Sequence, residues 1–218
     1  LEPRMIRGLT VAVLATVISS PVAAAQVQFS YSKLFSQLKH NYSENHSDVK
    51  IGYFMVSPQN GETCNITKAW MTKEEHYEEF DIPASQELPL PIDNHLRKVN
   101  PDVFIETEGD TTCDISFQVL AKKPFTQEMT DSDVNTLVPQ MTVMMQDLGG
   151  MFASWFMPEV GGVMVHFREP QSALKTSEGR IIDVDGNIAV IRASELKGGE
   201  RIFFPQAPLK VTPWIPQR

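Results

Sequence analysis

Two cysteines are all that the 218 residues contain, too few for a disulfide-dense miniprotein or a four-thiolate zinc site. Basic residues are also scarce: 19 Lys and Arg stand against 27 Asp and Glu, giving a net charge of −8, and no segment clusters them. Nonspecific nucleic-acid binders draw their affinity from a cationic surface, so no nucleic-acid partner is expected. The chain has no GxSxG, HExxH, SxxK or Walker A pattern and no paired Cys and His. Enzymes with a local signature are thereby set aside, although a site assembled from distant residues is not. After residue 25 no apolar run approaches the roughly 20 residues that cross a bilayer. What is left is a varied composition with enough apolar residues for a packed core.

The strongest local pattern is N-terminal. Arg4 and Arg7 precede an uncharged stretch from Gly8 to Ala25 that holds the apolar run Leu9 to Ile18, then Ser19, Ser20 and Pro21. Val22-Ala23-Ala24-Ala25-Gln26 follows, and the small side chains of Ala23 and Ala25 suit the subsites of a signal peptidase. Residues 1–25 are therefore expected to be a removed signal peptide, with Met5 as the translation start and Leu1 to Arg4 an extension. An uncleaved anchor or a buried helix is the alternative. No Cys follows the small residues, which argues against a lipid anchor. The mature chain is expected to be acidic, exported and not membrane-spanning. Sequons at Asn41, Asn45 and Asn65 would matter only in a eukaryotic secretory pathway.

An oxidising compartment gives the cysteines a role. Gly61-Glu62-Thr63-Cys64 and Gly109-Asp110-Thr111-Thr112-Cys113 each set a Cys at the start of an expected strand after a glycine turn. Neighbouring strands would bring Cys64 and Cys113 within bridging distance; a reactive thiol pair is the competing reading, but no CxxC motif is present.

Apolar spacing at Tyr31, Leu34, Phe35 and Leu38 predicts a short helix over Tyr31 to His40, capped by Ser30, and residues 41–48 read as a loop. Val49 to Ser57 and Glu62 to Trp70 flank Pro58-Gln59-Asn60-Gly61 and predict a β-hairpin. Thr72 and Glu75 have capping-box spacing, predicting one or two helical turns over Thr72 to Phe80. Pro89 and Pro91 restrict Ser85 to Ile92 to an irregular extended segment, and a short helix near Asp93 to Val99 precedes strands at Asp102 to Thr107 and Thr112 to Ala121. Asp131 or Ser132 caps a helix running to Leu148 and ended by Gly149-Gly150; Pro139 predicts a kink or a later start. Residues 151–157 are almost wholly apolar, and strands follow at Gly162 to Arg168, Arg180 to Val184, Asn187 to Arg192, Arg201 to Phe204 and Leu209 to Thr212. Eight or nine strands and three or four short helices, with one disulfide, make an α+β fold of mainly antiparallel sheet. The stretch Lys122 to Gln127 is the expected boundary between an N-terminal subdomain, 26–123, and a Met-rich helix with β-hairpins, 124–218.

Three features invite chemistry. Met141, Met144, Met145, Met151, Met157 and Met164 are soft sulfur donors of the kind that hold Cu(I), but their spacing is equally that of an apolar helix face. With Phe152 and Trp155, Met141, Met144 and Met145 form the candidate binding groove, for an unidentified protein partner or a small apolar ligand. His76 stands among Glu74, Glu75, Glu78, Glu79 and Asp81 without a second His at helical zinc spacing, so a solvated charged face explains it better than a metal. Asp183-Val184-Asp185-Gly186-Asn187 shares part of a calcium-loop pattern, but the ligand ladder does not continue, and a type I′ hairpin accounts for it. His166 lies inside a predicted strand; His40, His46 and His95 lie in polar segments. No catalytic residue, metal ligand or cofactor is assigned.

The succession SYSKLFSQLKHN, DVKIGYFMV, GETCNITKAWM, EEHYEEFDIP, LPLPIDNHLRKVNPDVFIE and CDISFQVLAK resembles an uncharacterised gammaproteobacterial family, domain of unknown function 2987, over about residues 28–170. The resemblance implies a Gram-negative origin, favours export and makes the sequons irrelevant; it implies no activity and no site residue. The reading is a soluble periplasmic protein that binds or interacts at the envelope rather than catalyses. A hydrolase or metal-dependent enzyme with a dispersed site, and a Cu(I) carrier using methionines, are the alternatives. Mass spectrometry of protein isolated from the periplasm is expected to give a chain starting at Gln26 and two hydrogens lighter than its reduced form; a retained leader or free thiols would refute export.

Overall fold

The computed structural model describes residues 25–109, 112–149 and 159–216. The expected leader, apart from Ala25, and Phe152 and Trp155 lie outside them. The fold is α+β, with antiparallel pairing throughout the ladders and three α-helices among the described residues. A four-stranded sheet is ordered β1-β5-β3-β4, from β1 (Ala25–Ser30), β3 (Ile66–Lys73), β4 (His76–Glu79) and β5 (Asp102–Thr107). A two-stranded ladder joins β2 (Val49–Val56) to β6 (Asp114–Ala121). A seven-stranded sheet is ordered β13-β8-β11-β10-β9-β12-β7. Its strands are β7 (Glu128–Thr130), β8 (Gly162–His166), β9 (Ala173–Thr176), β10 (Ile181–Asp185), β11 (Ile188–Arg192), β12 (Arg201–Phe203) and β13 (Lys210–Trp214). Strands β1, β4, β7 and β9 exceed the number expected from sequence. Three of them are four residues or fewer, too short for an alternating pattern to show.

The first core is the inner face of the four-stranded sheet, Val103, Ile105, Ala69 and Met71, covered by helix α1 (Tyr31–Leu38). Tyr31, Leu34, Phe35 and Leu38 are all buried there, as their spacing requires. Ser30 takes the extended N-cap conformation without a side-chain hydrogen bond. Helix α2 (Asn94–Val99) begins at Asp93, whose carboxylate accepts from the backbone N–H groups of His95 and Leu96, and ends at Asn100 in the left-handed region. The second core lies between the seven-stranded sheet and helix α3 (Asp131–Gly149). Thr130 caps α3, one residue earlier than expected: Thr130 Oγ1 accepts from Asp133 N at 3.1 Å while Asp133 Oδ2 accepts from Thr130 N at 2.9 Å. The helix runs through Pro139, so it does not start there. The carbonyl of Asn135, which loses its donor, belongs to an exposed residue within reach of water.

Three local predictions are overturned. The turn after β2 is real: Gly61 has φ +72°, Ser57 N donates to Glu62 O, and Val56 bridges to Thr63. Beyond that rung the hairpin stops, because the far edge of β2 is taken by Leu88, whose N–H donates to Tyr53 O. β3 instead pairs with β5. Nor is Thr72 to Phe80 helical. β3 and β4 form a hairpin with Lys73 opposite His76 and Glu74 at φ +53°, and Thr72 Oγ1 donates to the carbonyl of His76 instead of capping a helix. Ring contacts decide the matter: Trp70 stacks on Phe104 at 5.2 Å and meets Tyr77 at 6.4 Å, with Lys68 Nζ 5.1 Å over Trp70. The β10–β11 turn is the expected reversal, but Gly186 alone has positive φ, the pattern of type II′ rather than I′.

Cys64 and Cys113 form the disulfide, S–S 2.07 Å. Their strands are not neighbours, since β3 and β6 belong to different sheets; the bond ties the four-stranded sheet to the β2–β6 ladder. It closes a loop of 49 residues' separation. Replacing both cysteines by Ala is expected to lower unfolding free energy by about 4 kcal/mol, read from urea midpoints under non-reducing conditions; a change below about 1 kcal/mol would show that the loop is ordered without it.

Candidate ligand cleft

Alternation in the edge strands of the seven-stranded sheet builds the site. On β8, Val163 and Val165 face the second core, while Met164 and His166 point the other way. On β13, Val211 is core, and Lys210 and Thr212 share the face of His166 and Met164, which stand opposite them in register. Gly162 permits the close approach of β8 to its neighbour β11, because a Cβ there would stand 2.1 Å from the carbonyl oxygen of Ile191. This outer face, strand β6 and the C-terminal turn of α3 enclose a cleft of about 1100 Å³, rimmed by the segments around Gly61 and Ser85. That is slightly above the usual range of about 300–1,000 Å³ for small-molecule sites. Phe117, Met145, Leu148, Met164 and Leu209 supply its apolar walls.

Lys210 is its main charge. Nζ donates to Gln118 Oε1 at 2.8 Å and sits 4.1 Å from the centroid of the Phe54 ring. Burial lowers its pKa to about 8, with the charge of Glu87 pulling weakly the other way. Glu87 is held by Lys50 at 2.8 and 2.9 Å, an approach that Gly52 allows, since a Cβ there would meet Glu87 Oε1 at 2.8 Å. His166 Nε2 shares a 2.8 Å hydrogen bond with Thr212 Oγ1. Burial, and then the Lys210 charge, push His166 down to about 4. At neutral pH the cleft thus presents a neutral imidazole beside a largely protonated amine.

The family model described as "Protein of unknown function (DUF2987)" matches residues 23–167. The chain belongs to that family. No curated protein and no solved structure matches it. The matched region contains β6, β8, α3 and the disulfide, and therefore Gln118, Met145 and His166; Lys210 and Thr212 lie beyond it.

Of the candidate groove, Met145 reaches the cleft, with Leu148 one turn further on, while Met141 and Met144 are fully buried in the second core beneath. Phe152 and Trp155 lie outside the described residues. His76 is exposed on β4, and His46 is buried with Nε2 3.3 Å from Asp147 Oδ2. Among the described residues no three His, Cys, Asp or Glu converge as a metal site, and no helix is long and apolar enough to cross a membrane. Sequence reasoning missed Lys210, Gln118 and Thr212. Each is an ordinary polar residue alternating with core residues on a strand, and only the meeting of β6 with β13 sets them apart.

The His166 shift fixes a pH dependence. Between about pH 6.5 and pH 4 the unfolded chain binds a proton that the folded chain refuses, so stability falls as pH drops through that window, by up to about 3 kcal/mol. In His166→Gln this component is expected to vanish from urea unfolding measured across the window. An unchanged slope, or an imidazole titrating near 6.5 in NMR, would contradict the assignment.

Proposed function

We propose that this chain is an exported, periplasmic, disulfide-stapled binding protein whose cleft takes a small, largely apolar molecule. The cleft carries the reading: a concave site with apolar walls and a few convergent polar groups is the usual form of a ligand pocket. Met145 and Met164 give it walls that can adapt to a ligand's shape, and the buried Met141 and Met144 back the first of these. The leader-like N-terminus and the Cys64–Cys113 bond support export, since such bonds persist in oxidising compartments.

The hydrolase reading has one observation in its favour, the Thr212–His166 contact, which pairs a hydroxyl with an imidazole. An imidazole held near 4 is a weak general base, and among the described residues no carboxylate bonds to His166 to orient it. Binding is therefore preferred to catalysis.

An apolar fluorophore such as N-phenylnaphthylamine is expected to bind the purified protein saturably at one site. Met145→Arg and Met164→Arg should each weaken it about tenfold or more with little change in melting temperature. Non-saturable uptake, or variants that bind as well as the parent, would refute the reading.

A further inference from the structure

Lys210 has a surplus of hydrogen-bonding capacity and of charge. Its ammonium has three donors; Gln118 Oε1 takes one, and the Phe54 ring contributes only its π face. No carboxylate among the described residues lies within ion-pair distance of Nζ, and the nearest acid to influence it, Glu87, is bonded to Lys50 through both oxygens. A recessed ammonium left this way carries a desolvation cost that no anion offsets. Other polar groups line the same cleft. Gln118, by accepting through Oε1, keeps both Nε2 hydrogens free to donate, and Thr212 and His166 share the face of Lys210.

We infer that the ligand of this cleft is an apolar monocarboxylate, an acyl chain with one acid group, whose carboxylate docks on Lys210 between Gln118 and Thr212 while its chain lies against Phe117, Met145 and Met164. The inference deepens the binding reading and rests on it. Charge complementarity carries it: a half-buried ammonium with no ion-pair partner among the described residues, lining an apolar-walled cleft, fits an anion with an apolar body, and the charge-assisted hydrogen bonds so formed are the strong ones. The surroundings agree in sign. His166 on β8 is neutral near pH 7, Lys50 on β2 and Glu87 cancel each other, and Arg168 lines the cleft. Lys122 and Lys123 line the small adjoining pocket that Lys210 also borders, and Glu62, across the cleft, is the acid among its lining residues.

Proton linkage follows. The free lysine titrates near 8, and a bound carboxylate favours its charged form, so binding raises that value and takes up protons where the free amine is partly neutral. Affinity for the acid holds below about pH 8 and falls up to about tenfold per pH unit above it, as long as the bound form stays protonated.

Isothermal titration of the purified protein with decanoate and with decanol, at about pH 7 and about pH 9.5, tests this, together with the Lys210→Met variant. The acid should bind the parent at least about tenfold more tightly than the alcohol at the lower pH, and lose most of that advantage at the higher pH and in Lys210→Met. NMR of the Lys210 side chain should show its titration midpoint moving up from about 8 when decanoate is added, a readout that needs no variant to fold. Equal binding of acid and alcohol would leave the apolar cleft standing and overturn the carboxylate. Tighter acid binding that survives Lys210→Met would also overturn it, as would an unmoved Lys210 midpoint. Binding of neither compound would overturn both readings.

Discussion

Eight residue pairs, from Val49 opposite Ala121 to Val56 opposite Asp114, hold β2 to β6, and both hydrophobic cores are built against this one ladder. Tyr53 and Met55 on β2 belong to the core under α1, whereas Val49 and Ile51 belong to the core under α3. The strand meets both cores with one alternating face, Val49, Ile51, Tyr53 and Met55, and its other face is apolar at Phe54 and Val56. Gly52 and Lys50 are the departures, and both serve the approach of Glu87. Through Phe54 and Gln118 the ladder also sets one wall of the Lys210 environment, so packing in the first half of the chain determines the electrostatics of a residue near its end.

What the sequence made legible was local. The 3.6-residue spacing of α1, the short helix near Asp93, the glycine turns and the strands β8, β10, β11, β12 and β13 all follow from patterns within one or two dozen residues. The disulfide was legible as a pairing but not as a place: parity and compartment select Cys64 and Cys113, yet nothing near either residue shows that they cross-link separate sheets. Partner choice was where local reading failed. Pro58 to Gly61 encodes a reversal and no more, and the identity of β2's neighbours depends on Leu88, 35 residues from its partner Tyr53, and on β6, whose residues stand 58 to 72 positions from theirs. The Thr72–Glu75 capping signal is worth about 1 kcal/mol, and it is opposed by the β3–β4 and β3–β5 ladders together with the contacts of Trp70 with Phe104 and Tyr77, about 0.5–1.5 kcal/mol each, that hold the same residues extended.

The site divides in the same way. Methionines 141, 144 and 145 are visible as one stripe, but whether a thioether on that stripe meets core or cleft depends on which side of α3 the sheet covers. Lys210 and His166 acquire their unusual proton affinities from burial between strands joined only in the folded chain. Neither residue type, nor its neighbours in sequence, foretells that.

The disulfide has a topological consequence as well as an energetic one. Cys64 and Cys113 turn the intervening chain, with β3, β4, α2 and β5, into a covalent ring whose two ends are anchored beside the β2–β6 ladder. A single proteolytic cut anywhere in that ring would release no fragment: both pieces would stay tethered through sulfur, and the four-stranded sheet could close again over the break. A nicked chain of this kind would run intact without reductant and as two pieces with it.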